Sequence, residues 1–208
     1  MKTSIKIFIF LAFAFGYVVL NNLPYLPGPD NLYDFSNSAH DYIGMLGLLG
    51  LVAVPIGITW LVVRLVKVRK VAWWPVIFIL SGILVLCNGR YIEPLFRDHA
   101  RERSIREAGV LIRAIESYRN SEGFYPVELS QLIPEYIDSI SVPSSMGSKE
   151  FVYRRTDETF EVEFYQNVIM NFNIEVVVYN PLDRQESRGG IPFLYETGHE
   201  HWKYCILD

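Results

Sequence analysis

IGMLGLLGLVAVPIGITWLVV, residues Ile43–Val63, contains no ionisable side chain. An α-helix rises about 1.5 Å per residue and the hydrocarbon core of a bilayer is about 30 Å thick, so about 17–25 apolar residues suffice to cross it. The apolar character runs on to Val66, past Arg64, and two shorter apolar stretches flank it, Ile5–Leu20 before and Ala72–Leu86 after. Tyr17, Trp73 and Trp74 stand near the ends of those stretches, where aromatic rings favour the headgroup region. Three such stretches in succession predict a membrane domain of three transmembrane helices in residues 1–88. Residues 89–208 read as one water-soluble domain.

Charge predicts the orientation. Lys2 and Lys6 precede the first stretch, and Arg64, Lys67, Arg69 and Lys70 fill the link between the second and third. The Pro-rich link Asn21–Tyr42 carries Asp30, Asp34 and Asp41 and no Lys or Arg. Positive charge is retained on the cytoplasmic side, so the amino terminus and the basic turn are expected inside, and residues 21–42 and everything after Asn88 outside a bacterial cytoplasmic (inner) membrane. Met1–Gly16 also has the make-up of a cleaved signal peptide, with a basic start, an apolar centre and small residues at Ala14 and Gly16. Retention is favoured because the apolar run continues through Tyr17–Leu20. Cleavage would remove one span and leave the rest of the topology unchanged.

The net charge of −4 hides a division along the chain. Residues 1–88 hold 6 Lys+Arg against 3 Asp+Glu, whereas the tail from Gly89 holds 13 against 20. An acidic tail lacks the basic patch that nucleic acid requires. The two cysteines, Cys87 at the end of the third span and Cys205 near the carboxyl terminus, make no disulfide framework. Either they form one bond in an oxidising compartment, or, the favoured reading, each packs as a free thiol. At mid-depth the three spans offer only Thr59 and Ser81 as polar groups, so transport chemistry is not expected. Gly44, Gly47, Gly50, Ala53 and Gly57 give the second span a surface for close approach of another helix, read as packing among the three spans, and Pro55 is expected to kink it.

The tail opens with an amphipathic helix over Arg97–Arg119. Ile105, Ala108, Leu111, Ile112, Ile115 and Tyr118 recur at spacings of three and four, while Arg101, Glu102, Arg106, Glu107, Arg113 and Glu116 take the other face. Gly123 and Pro126 end it. Strands are expected at Glu150–Arg155, Thr159–Gln166, Phe172–Tyr179 and His201–Leu207, with a tight turn at Thr156–Glu158. Alternation puts Phe160, Val162 and Phe164 toward the helix and Glu161 and Glu163 in water, which makes the two glutamates solvated surface and not a catalytic pair.

The run Ala114-Ile-Glu-Ser-Tyr-Arg-Asn-Ser-Glu-Gly-Phe-Tyr-Pro126, followed by Leu129, Leu132, Ile133-Pro134, Val142-Pro143, Gly147 and Phe151-Val-Tyr153, resembles the globular part of type II secretion pseudopilins and type IV pilins. There an amphipathic helix ends in a Gly-x-Tyr-Pro turn, a second small helix follows, and a Pro-rich loop leads into a sheet. The resemblance covers about Ile105–Tyr153 and implies no catalytic residues. The chain departs from the family in its three spans and in lacking a glutamate within an apolar run, and Asn88-Gly89 and Pro94 are expected to interrupt any continuous helix from membrane to tail. Assembly into a filament by the family's route is therefore not expected.

The expected fold class is α+β: three N-terminal transmembrane helices, then a pilin-like domain whose amphipathic helix packs on an antiparallel sheet. For chemistry the sequence offers little. His199 and His201, two residues apart on an expected strand, would share a face and could present two ligands to a metal, with Cys205 on the same parity. Three ligands are needed, so a surface turn is the favoured reading, and no phosphate loop, Gly-x-Ser-x-Gly or Cys-x-x-Cys is present. The turn-rich link Asn180–Pro192 is either a recognition loop or inert. The expected function is a non-catalytic, membrane-anchored extracytoplasmic binding or scaffold protein of the cell envelope. Its partners would be membrane lipid and an envelope protein, with no nucleic acid, cofactor or metal. The alternative is a metal-dependent sensor or enzyme using the His199/His201 region.

Overall fold

Helix fills most of the first 122 residues of the computed structural model, which describes residues 3–69, 73–156, 158–169, 172–185 and 194–207. The helices are α1 (Thr3–Asn21), α2 (Tyr33–Val68), α3 (Trp73–Cys87) and α4 (Glu93–Glu122). Three helical segments, Ser4–Asn21, Asp30–Val68 and Trp73–Glu122, are long enough and contain a sufficiently apolar window to cross a membrane. Lys2, Lys70, Ala72, Asp157 and the stretch Arg188–Pro192, all used in the sequence reading, lie outside the described residues.

Two helix ends differ from expectation. The second helix starts at Tyr33, well before Ile43, and takes in much of the expected link. Nor do Asn88-Gly89 and Pro94 break the chain: Asn88–Ile92 form a π-helical turn that passes straight into α4, closed by a bond from the Glu93 N–H to the Asn88 carbonyl. A π turn takes up one extra residue without leaving the helix. Pro94, which has no N–H to donate, sits in the first turn of α4, where that loss costs least. Helix α2 likewise continues through Pro55, whose carbonyl accepts a bond from Thr59 Oγ1 at 2.8 Å.

The chain divides into two compact units, residues 1–23 with 38–96, and residues 24–37 with 97–208. Sequence alone had set one boundary, between 88 and 89. In the helical unit, glycine lets α2 and α3 approach closely: a Cβ on Gly82 would stand 2.4 Å from Val54 Cγ2 and 2.6 Å from the Gly50 carbonyl oxygen. The same unit holds a buried polar layer that the sequence reading missed. Asn22 Nδ2 donates to Asn88 Oδ1 at 2.9 Å, Asn21 Nδ2 donates to Glu93 Oε2 at 3.1 Å, and His40 Nδ1 meets the Asn21 carbonyl. All five residues are buried. A carbonyl only accepts, so Nδ1 carries the His40 proton.

In the other unit α4 is followed by a 3-10 turn (Leu129–Leu132) and a five-stranded antiparallel sheet in the order β1-β2-β3-β5-β4. The strands are β1 (Val152–Arg155), β2 (Phe160–Ile169), β3 (Asn173–Tyr179), β4 (Tyr195–Glu196) and β5 (Trp202–Leu207). Ile105, Ala108, Leu111, Ile115 and Tyr118 of α4 form one buried cluster with Phe160, Val162, Phe164, Val177 and Trp202 of the sheet. Gly123 takes φ +82°, which its missing Cβ permits, and its N–H donates to the Arg119 carbonyl at 2.8 Å to end the helix. Tyr125 then turns back onto Phe160, with ring centres 4.9 Å apart.

Two charged residues expected in water are buried instead, Arg101 and Glu163. Arg101 belongs to an ion cluster between α4 and the sheet. Its Nε and Nη2 donate to the two oxygens of fully buried Glu175, each at 2.7 Å, and its guanidinium lies 4.0 Å from the centre of the Tyr204 ring. Gln166 Nε2 donates to the same carboxylate at 3.0 Å and Arg97 Nε stands 3.4 Å from it. Burial alone would lower the Arg101 pKa. The hydrogen bonds and charge of Glu175, with the charge of Asp98, outweigh it and hold the pKa above its ordinary value.

Candidate functional site

Residues 24–37 belong to the sheet unit because main-chain and side-chain bonds tie them there. Pro27 and Ser145 form an antiparallel bridge, the Gly28 N–H donates to the Ser144 carbonyl at 3.0 Å, and the Met146 N–H donates to the Leu26 carbonyl at 3.0 Å. The Gly147 N–H donates to the Pro24 carbonyl at 2.8 Å, and a Cβ at Gly147 would stand 2.5 Å from Pro24 Cβ. Arg103 Nη2 donates to the Tyr25 carbonyl, Tyr25 Oη donates to the Asn167 carbonyl, and Ser36 Oγ donates to the Met146 carbonyl. The Pro-rich link is thus stitched to the tail.

Between that link and the sheet lies a groove of about 340 Å³, lined among others by Tyr33, Lys149, Glu150, Val152, Tyr165 and Ile174. Lys149 and Glu150 are exposed, so its rim carries both signs of charge. Tyr165 is held in place from both ends: its hydroxyl donates to Glu163, and its carbonyl accepts from Ser148 Oγ at 2.8 Å. Arg154 Nη2 donates to Glu163 Oε1 at 2.8 Å, which explains how a glutamate expected in water is accommodated without exposure. The groove is concave, with polar Gln166 and Asn167 beside apolar Val152 and Ile174 along its walls.

Burial, followed by the bond to Glu163, pushes the Tyr165 pKa up from 10.0 to about 12, and burial does the same for Tyr153. A phenol whose pKa is higher folded than unfolded contributes stability that is whole below the unfolded value and fades as pH rises through the folded one. Thermal unfolding should therefore become easier between pH 10 and 12. Tyr165→Phe should flatten that slope. A melting temperature constant across the interval, or an unchanged slope in the variant, would contradict this account of Tyr165.

The other candidate residues do not assemble into a site. His199 and His201 lie in the β4–β5 turn, not on a strand, which corrects the shared-face reading. Thr197 Oγ1 accepts from the His199 N–H at 3.1 Å and donates to the Trp202 carbonyl at 2.9 Å, shaping the turn. His201 has φ +65°, and its Nδ1 bonds to Asp183 Oδ2 at 3.0 Å. Among the described residues no three His, Cys, Asp or Glu side chains are grouped to hold a metal ion. Glu161 is half-buried and accepts a long bond from Asn180 Nδ2. Cys87 and Cys205 are free thiols; Cys205 is buried beside Val176 and Val178, and burial, with the charges of Glu175 and Glu163, pushes its pKa up. Of the Asn180–Pro192 link the described part ends at Gln185, whose Nε2 donates to the His201 carbonyl at 2.6 Å. No protein-family model, curated protein or solved structure matches the chain.

Proposed function

We propose that this protein is a membrane-anchored binding or scaffold module of the bacterial cell envelope, non-catalytic, with its sheet unit on the extracytoplasmic side of the cytoplasmic membrane and its groove engaging an envelope protein. The observation that carries the reading is the make-up of the sheet unit. Residues 24–37 follow the first span and residues 97–208 follow the third, and the two form one compact unit. A folded unit lies on one side of a bilayer, so the chain between them crosses an even number of times, as two spans do. The positions of Lys6, Arg64, Lys67 and Arg69, at the opposite ends of those spans in the sequence, then argue for an outside location.

The pilin-like reading of the sheet unit rests on residues 105–153 and on the order of elements: amphipathic helix, Gly-x-Tyr-Pro turn, short 3-10 turn, antiparallel strands. Whatever fold it shares, function lives in the groove and its rim. A photoreactive side chain at Tyr33 or Lys149, irradiated in native membranes of the full chain, should form an adduct with one distinct envelope protein. The same group at Arg106, on the exposed face of α4, should not. Absence of an adduct at both groove positions, or the same adduct from Arg106, would refute the groove as the binding surface.

A further inference from the structure

Lys6, Phe10 and Phe13 fall at spacings of four and three along α1, and Trp74, Ile77 and Ser81 at three and four along α3; together they line a groove of about 230 Å³ within the helical unit. We propose that this groove is a site for an anionic phospholipid, with one acyl chain lying along the phenylalanines and the headgroup phosphate on the Lys6 ammonium. The proposal rests on the reading that these helices cross a membrane.

Three observations converge on that occupant. The first is shape and depth: the walls are almost wholly apolar, and Lys6 to Phe13 spans about 10 Å at about 1.5 Å per residue, roughly two-thirds of one leaflet's share of the hydrocarbon. An acyl chain fits such a slot, whereas a water-soluble ligand would have to leave its hydration behind. The second is the placing of the cation. Lys6 Nζ lies 5.9 Å from the centre of the Trp74 ring, within reach of a cation–π contact that sets the ammonium beside an indole lining the same groove, and Trp favours headgroup depth. The third is the lack of a counter-charge. No Asp or Glu occurs in residues 1–29 or 42–92, while Arg64, Lys67 and Arg69 add to the same sign. A headgroup with net negative charge is therefore preferred to a zwitterionic one, whose own cation would meet these residues.

Trp74 supplies the readout. The full chain is reconstituted in vesicles containing either brominated phosphatidylglycerol or brominated phosphatidylcholine at equal mole fraction, and the quenching lost in Trp74→Phe is taken as the signal of this tryptophan. The phosphatidylglycerol should bind at least about fivefold more tightly, the effect of one well-placed cation near an anionic lipid. Lys6→Gln should abolish the preference and Lys6→Arg should keep it. Inorganic phosphate at constant ionic strength should displace nothing. Equal quenching by the two lipids, a preference that survives Lys6→Gln, or displacement by phosphate alone would each overturn the proposal. Flotation with the vesicles is read in parallel: a chain that fails to float refutes the membrane reading and this site with it, whereas one that floats without lipid preference refutes the site alone.

Discussion

Ile115→Asp should unfold the sheet unit of the full chain in detergent, whereas Arg113→Asp, two residues earlier on the exposed face of α4, should leave it intact. Ile115 is fully buried in an apolar cluster with Leu111, Phe160, Phe164 and Val177. An unpartnered buried charge of this kind costs several kcal/mol, against a total domain stability of about 5–15 kcal/mol. The aromatic cluster reports the outcome, since Trp202 lies 6.0 Å from Phe164 and 5.3 Å from Tyr179 between ring centres. The near-ultraviolet circular dichroism of these rings should vanish in the first variant and persist in the second. Equal tolerance of both changes would mean that α4 does not cover the sheet.

Arg101→Met should be nearly as damaging, for an electrostatic reason. The change removes both short bonds to Glu175 and the guanidinium lying over Tyr204, and leaves a carboxylate of zero exposure with Gln166 and the more distant Arg97. Breaking a buried pair on one side costs about 3–5 kcal/mol, whereas replacing both partners by apolar groups of similar size costs far less. Denaturant unfolding should therefore show a large loss for Arg101→Met and a partial recovery in Arg101→Met/Glu175→Met. Arg101→Lys should fall between, because an ammonium cannot make the two-pronged bond. A single variant as stable as the parent would show that the cluster contributes nothing to holding α4 in place.

The three long apolar helices and four of the five strands were legible because each rests on a local pattern, whereas the two-residue β4 was not expected. Continuous apolar runs mark the first, alternation marks β2, and a β-branched run marks β3; their observed spans, Phe160–Ile169 and Asn173–Tyr179, lie within three residues of the expected ones. Charged and amide residues misled, since a local pattern assigns them to water. Arg101 and Glu175 are 74 residues apart, and only the fold joins them. A signal was present nonetheless: Glu175 shares strand parity with buried Val177, while Arg97 and Arg101 are spaced by one helical turn plus a fraction. Asn21, Asn22 and Asn88 read as loop residues because they flank apolar runs; in the structure they form a buried polar layer that caps the helical unit from within. The groove beside Tyr165 could not be read at all, because its wall from residues 24–37 comes from what sequence alone assigns to a connecting link.

The central claim is that residues 24–37 and 97–208 lie together outside the membrane that α1, α2 and α3 cross. It is tested most directly by labelling single cysteines in intact cells with a membrane-impermeant thiol reagent, in a Cys87→Ser, Cys205→Ala background. Asp34, Lys149 and Val68 are all exposed on the protein, so reactivity at each reports the side of the membrane and not burial. Cysteines at Asp34 and Lys149 should be labelled in intact cells, and one at Val68 only after the membrane is opened. Labelling at Val68 with protection at Lys149, or different accessibility of Asp34 and Lys149, would contradict the account.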